Sequence, residues 1–151
     1  MAANFEFLTP EDRPALVALS TPELLETAKT SLEQLGYKTH FADTHGEFLH
    51  KFAQVPYHVV ILEELFAART PEENESLLTL QRMPMNQRRH ATSILFGFSF
   101  ATLNPLQAFQ YGVHAVINPS EMFLLVQLIQ KTVSENDMFL HIYRDVQKRA
   151  G

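Results

Sequence analysis

The sequence predicts a three-layer α/β domain: a parallel sheet of five strands, helices on both faces, and one added helix at the C-terminal end. Three observations predict it. The stretch Tyr57-His58-Val59-Val60-Ile61-Leu62 carries four consecutive aliphatic residues, three of them β-branched, as a strand buried on both faces of a parallel sheet does. Short apolar runs of strand length alternate with segments of helical period along the chain. Cap-then-proline signals open the helices at Thr21-Pro22, Thr70-Pro71 and Asn104-Pro105.

In chain order, residues 1–13 read as a leader punctuated by prolines, with Phe5, Phe7 and Leu8 alternating as a short strand or as a stretch laid over the core. Ala15 to Leu19 is a strand. Thr21 then caps a helix whose Leu24, Leu25, Ala28, Leu32 and Leu35 share one face, and Gly36 ends it. Tyr37 to Ala42 is a second strand, Asp43 to Gly46 a turn, and Glu47 to Gln54 a short helix with Phe48, Leu49 and Phe52 inward. The aliphatic strand follows and stops at Glu63-Glu64. A helix opening at Thr70-Pro71 buries Leu77, Leu78, Leu80 and Met83 and ends at Pro84, and Met85 to His90 is a polar connector.

Thr92 to Phe98 is a fourth strand, and Asn104 to Tyr111 a helix stopped by Gly112. His114 to Ile117 is a fifth strand, and Asn118-Pro119-Ser120 leads into a helix from Glu121 with Met122, Leu125, Val126, Ile129 and Val133 against the sheet. Ser134-Glu135-Asn136-Asp137 reads as a break, after which Met138, Phe139, Ile142, Tyr143 and Val146 form a second apolar stripe. That stripe either folds back on its own domain or meets a partner. There is no internal repeat and no linker, so the expectation is a single domain with a leader at 1–13, a core at 14–133 and a helical extension at 134–151.

Composition excludes whole classes of function. The 151 residues are 46% hydrophobic and 19% charged, which is globular. A net charge of −5 argues against a nucleic-acid partner, and the short basic cluster Arg82 to Arg89 reads as a solvated helix end. The chain has no cysteine, which removes disulfides and thiol chemistry and fits the cytoplasm. Met1 to Phe7 has no basic flank or long apolar region, so it is not read as a signal peptide, and no run approaches the roughly 18 apolar residues of a membrane span.

Catalytic motifs are equally scarce. Ser20, Ser93 and Ser99 have no base at motif spacing, and Gly97-Phe98-Ser99-Phe100 lacks the second glycine of a nucleophile elbow. No glycine-rich loop follows the first strand, so dinucleotide binding is unsupported. His40, His45 and His50 stand five apart, a spacing that neither helix nor strand gathers on one face, so no metal is expected. Asp43-Thr44-His45 begins like a cobalamin-binding motif, but Phe48 occupies the glycine slot and the position follows the wrong strand. No cofactor is expected.

From roughly Pro14 to Val133 the chain resembles the receiver domains of two-component response regulators. The resemblance rests on Leu35-Gly36-Tyr37, the proline-led strand Pro56 to Glu63, Tyr111-Gly112 before the fifth strand and Asn118-Pro119 after it. It implies a flavodoxin-like, receiver-like fold and a place in two-component signal transduction. It also implies a set of slots, none of which keeps its usual residue. The two Mg²⁺-holding acids fall at Leu19 and Ser20, and the phosphoacceptor aspartate at Glu63. The hydroxyl slot falls near Gly97, with Ser99 the nearest hydroxyl, the lysine slot is Asn118, and the aromatic switch position is about Ala115. Mg²⁺ wants octahedral oxygen ligands, and the transferring phosphoryl group needs its charge neutralised.

The chain is therefore expected to be a non-catalytic pseudo-receiver, not an enzyme, with Leu19, Ser20, Glu63, Gly97, Ser99 and Asn118 as a vestigial pocket. Glu63 itself admits three readings: a mimic of a phosphorylated aspartate, an ordinary polar strand end, or a contact for a small ligand. Action is expected through a protein partner, a signalling protein or a second copy, at Phe109, Tyr111, Phe139, Ile142, Tyr143 and Val146. Two alternatives stay open: a small-ligand sensor at the strand ends near Glu63, Ser20 and Ser99, and a phosphoacceptor of relaxed chemistry.

Overall fold

The computed structural model describes residues 12–84 and 90–150. Five strands, β1 (Pro14–Ala18), β2 (Lys38–Phe41), β3 (Val59–Glu63), β4 (Thr92–Phe96) and β5 (Ala115–Ile117), form one sheet in the order β2-β1-β3-β4-β5. Every pairing is parallel, with Val17 opposite Ile61 and Glu63 opposite Phe96. The aliphatic strand is thus central, and Val59, Val60, Ile61 and Leu62 are buried on both faces.

Helices α1 (Pro22–Gln34), α2 (His45–Gln54), α3 (Glu75–Arg82), α4 (Pro105–Tyr111) and α5 (Leu125–Ala150) enclose the sheet. One core layer joins Val17, Val59, Ile61 and Phe96 to Leu24, Ala28 and Leu32 of α1 and to Leu125, Leu128 and Ile129 of α5. The other joins Leu16, Val60, Leu62 and Leu95 to Phe48 of α2, Leu77 and Leu80 of α3 and Ala108 of α4. Burying each large aliphatic or aromatic side chain is worth roughly 1.5–3 kcal/mol, so the central strand anchors both layers.

Local chemistry sets the helix starts. Thr44 accepts from the Glu47 amide at 3.1 Å, which begins α2 at His45 rather than at Glu47. Asn104 accepts from the amides of Leu106 and Gln107, and Gly112, at φ 68°, closes α4 in the left-handed region. Thr70-Pro71 does not open α3 as expected. It opens a single 3₁₀ turn, Pro71–Glu73, and Asn74 caps the helix from Glu75. Strand β4 ends at Phe96, two residues early, because Gly97 turns the chain and leaves Phe98 exposed. After β5, Pro119–Leu124 is a 3₁₀ segment, and α5 starts at Leu125.

The break expected at Ser134 to Asp137 is absent, and α5 runs through it. Asn136 turns inward, is buried, and donates to Thr92 Oγ1 at 3.0 Å, so its side chain is spent on β4 and not on ending the helix. Beyond it α5 carries exposed Met138, Phe139, Ile142 and Val146. Phe5, Phe7 and Leu8 of the leader, and residues 85–89 of the connector, lie outside the described residues. No described helix is long and apolar enough to cross a membrane.

Candidate functional site at the carboxyl ends of the strands

Ligands of open parallel sheets collect where strands end at their carboxyl edge. Here β3 delivers two adjacent acids, and strand alternation sends them to opposite faces. Glu63 points to the α1 side. Its Oε1 accepts from the amides of Ser20 at 2.8 Å and Thr21 at 3.2 Å, and its Oε2 from Thr21 Oγ1 at 3.0 Å. Thr21 stands at the N-cap of α1 but makes no side-chain cap bond, because its hydroxyl donates to Glu63. The carboxylate sits at the positive end of the helix, where a negative charge is favoured.

Ser20 is held from the other side. Its Oγ accepts from the Ala67 amide at 3.1 Å, and the Ala67 carbonyl lies 3.2 Å from His45 Nε2. The His45 ring also meets Ser76 Oγ at 2.8 Å and Phe66 edge-on. The β3–α3 connection is thereby pinned to β1 and α2, with Ala67 at φ 45°.

Glu64, which the sequence reading passed over, faces the second core layer and is buried. Ser99 Oγ lies 2.9 and 3.2 Å from its two carboxylate oxygens, and the Tyr111 hydroxyl donates to Oε2 at 3.0 Å. The Tyr111 hydroxyl pKa is raised by burial first, then by that hydrogen bond and by the charges of Glu64 and Glu72. Gly97 permits the arrangement: a Cβ there would stand 2.6 Å from Glu64 Oε1 and 2.8 Å from the Phe100 ring. Asn74 closes the strand end, its fully buried amide donating at 3.0 Å to the carbonyls of both Glu63 and Glu64.

The predicted slots therefore divide. Ser20 and Glu63 meet. Leu19 is buried in the α1 core layer and not in the cleft. Gly97 and Ser99 gather around Glu64 rather than Glu63. Asn118 bonds the carbonyls of Phe98 and Phe100 and caps the 3₁₀ segment at the Ser120 amide. Ala115 is buried in β5, in the α1–α5 layer. Of the surface residues, Phe109 is 87% exposed, whereas Tyr111 turns its hydroxyl inward and packs edge-on against Phe100. Tyr143 is half-buried and stacks on Phe139. The signal for Glu64 was present as Glu63-Glu64 at the end of an alternating element.

These residues do not fit Mg²⁺. The site offers one carboxylate and a serine, both already bonded to protein groups, while the third slot is a core leucine. Among the described residues no group of three His, Asp or Glu side chains is placed to hold a metal ion. Two grooves, of about 730 and 630 Å³, open at the amino ends of the strands, one against Phe109, His114 and Phe139 and the other against Tyr57, His58 and His141.

The fold and this strand-end arrangement define a class: a five-stranded, parallel α/β domain with the fold of response-regulator receivers. The particular likenesses are three. A CheY-like receiver domain protein from Methanospirillum hungatei is 21% identical, with a TM-score of 0.63 over 85% of this chain and 98% of its own. A response regulator from Thermotoga maritima is 15% identical, with a TM-score of 0.62 over 82% and 98%. The chemotaxis regulator CheY4 of Vibrio cholerae is 14% identical, with a TM-score of 0.60 over 80% and 98%. No family model and no curated protein sequence matches the chain.

Proposed function

We propose that this chain is a non-catalytic pseudo-receiver: a signalling scaffold of the cytoplasm that acts through protein contacts and is not phosphorylated at Glu63. One observation carries the reading, namely that both acids at the end of β3 are spent on internal hydrogen bonds. A phosphoacceptor carboxylate must present a lone pair in line with the incoming phosphorus beside a cation that neutralises the transferring group. Glu63 directs both oxygens at Ser20 and Thr21 and acts as the cap of α1. Exposed Leu106 and Phe109 on α4, with Ile142 and Val146 on α5, supply apolar surface of the kind that proteins dock on. A small-ligand receptor at the strand ends has weaker support, because hydrogen bonds within the chain already tie its polar groups together.

The test is incubation with acetyl phosphate and Mg²⁺, followed by intact-mass measurement. The mass is expected to stay unchanged. An acid-stable or acid-labile phosphoryl adduct mapped to Glu63 or Glu64 would sink the reading.

A further inference from the structure

We infer that the groove of about 630 Å³ at the amino ends of the strands binds a small phosphomonoester with a flat apolar body. It lies at the opposite edge of the sheet from Glu63 and does not depend on the protein-contact reading above. Three elements build it. The backbone of His58, just before β3, is fixed on both sides: its amide donates to the Pro14 carbonyl and its carbonyl accepts from the Thr92 amide, each at 2.8 Å. His90 stands two residues ahead of Thr92. Asn136, bonded to Thr92 at 3.0 Å, holds α5 over the same edge. From there Asp137, Leu140, His141 and Arg144 fall at i, i+3, i+4 and i+7, a single stripe that lines the groove.

The chemistry of the lining selects the occupant. His58, His90, His141 and Arg144 are exposed, and among the described residues none of their side chains is in a hydrogen bond or ion pair. A guanidinium carries five N–H donors, and an imidazole at least one in either protonation state. The groove is thus rich in uncommitted donors and calls for a ligand rich in acceptors. A carboxylate is planar, and a single arginine fork satisfies it. Donors that arrive from α5, from the start of β3 and from the approach to β4 call for oxygens that point several ways, as those of a phosphoryl group do. Among the described residues no group of three His, Asp or Glu side chains is placed to hold a metal ion, so the imidazoles frame something larger than a bare cation.

Two acids also line the groove. Asp12 is paired with Lys38 at 3.8 Å, and Asp137 stands about 10 Å from Arg144 along the helix axis. The guanidinium end is therefore where negative charge is received. Tyr57, 2% exposed and with its hydroxyl spent on His40 at 2.8 Å, and Leu140 add apolar surface. That surface suits a flat hydrocarbon body, and the volume is within the roughly 300–1,000 Å³ of small-molecule sites.

The test titrates the whole chain with phenyl phosphate, followed by calorimetry and by NMR. Saturable one-to-one binding with a Kd below about 1 mM is expected, with the shifts centred on His58, His90, His141 and Arg144, and with benzoate weaker. Arg144→Gln should weaken binding about tenfold or more, and His58→Ala and His141→Ala about three- to tenfold each. The circular dichroism melts should stay unchanged because these side chains are exposed. Arg149→Gln removes the same charge from the other side of α5, where Arg149 is paired with Asp145 at 3.6 Å, and should leave the affinity as it is. Absence of saturable binding, equal losses from Arg144→Gln and Arg149→Gln, benzoate as tight as phenyl phosphate, or shifts centred on Ser20 and Glu63 would each overturn the inference. A phosphoryl adduct on Glu63 is a separate failure, which would overturn the scaffold reading and leave this site standing.

Discussion

Ala67 holds a backbone conformation that suits glycine better than alanine, with φ at 45°. Its amide donates to Ser20 and its carbonyl faces His45, so the surroundings impose the conformation. The side chain is exposed and packs little. Ala67→Gly is therefore expected to stabilise the fold by about 1 kcal/mol through relief of the left-handed strain, read as a higher urea midpoint. A destabilised variant would show that the strain is absent. The neighbouring acids make the complementary point, since nothing in the residue type of Glu63 or Glu64 distinguishes them. Alternation along β3 gives one to the α1 end and the other to Ser99 and Tyr111, and only the missing side chain at Gly97 leaves room for the second.

At the scale of elements, α3 depends on a single side chain. Asn74 caps it through Oδ1 to the Leu77 amide at 3.1 Å, while its amide group serves the last two carbonyls of β3. Asn74→Ala removes a cap and strands buried carbonyls, a loss of about 2–4 kcal/mol. Asn74→Ser keeps an acceptor for the cap and is expected to fall between. Chemical denaturation of the three proteins checks the order, and equal midpoints for serine and alanine would remove the cap from the account. This element also shows where sequence reading stops. A cap that acts within a few residues follows from local spacing, as at Asn104; Thr44 acts just as locally, but Asp43-Thr44-His45-Gly46 also spells a turn, and that signal hid the helix start at His45. Asn74 was overlooked in favour of Thr70-Pro71 because half of its work is done on a strand ten residues upstream. For the same reason Asn136 reads locally as a helix breaker, although its partner is Thr92 on β4. The five strands and their order of burial were legible because apolar runs and their terminators are local; the destination of Ser99 and Asn118 was not.

For the whole molecule, two phenols set an alkaline limit, one buried and one half-buried. Tyr57, bonded to His40 at 2.8 Å, has its hydroxyl pKa pushed far up by burial, and Tyr111 is raised by burial and then by Glu64. Both are neutral in the fold, whereas in the unfolded chain they ionise near the ordinary value of about 10. Their contribution is in place below that pH. It is lost as pH rises through it toward the folded values, because the unfolded state then binds fewer protons. The melting temperature is expected to fall above about pH 10, and less steeply in Tyr57→Phe. Identical alkaline slopes would rule Tyr57 out.

The unbroken course of α5 has a mechanical meaning. Since Asn136 is keyed to Thr92, the outer half of the helix inherits its rotational phase from β4, like a pointer fixed to a dial. Inserting one residue just after that key would swing Ile142 and Val146 by about 100° and aim them at empty solvent. Inserting a full heptad would nearly restore their bearing and only move them outward. The scaffold therefore prescribes an azimuth for whatever grips the pointer.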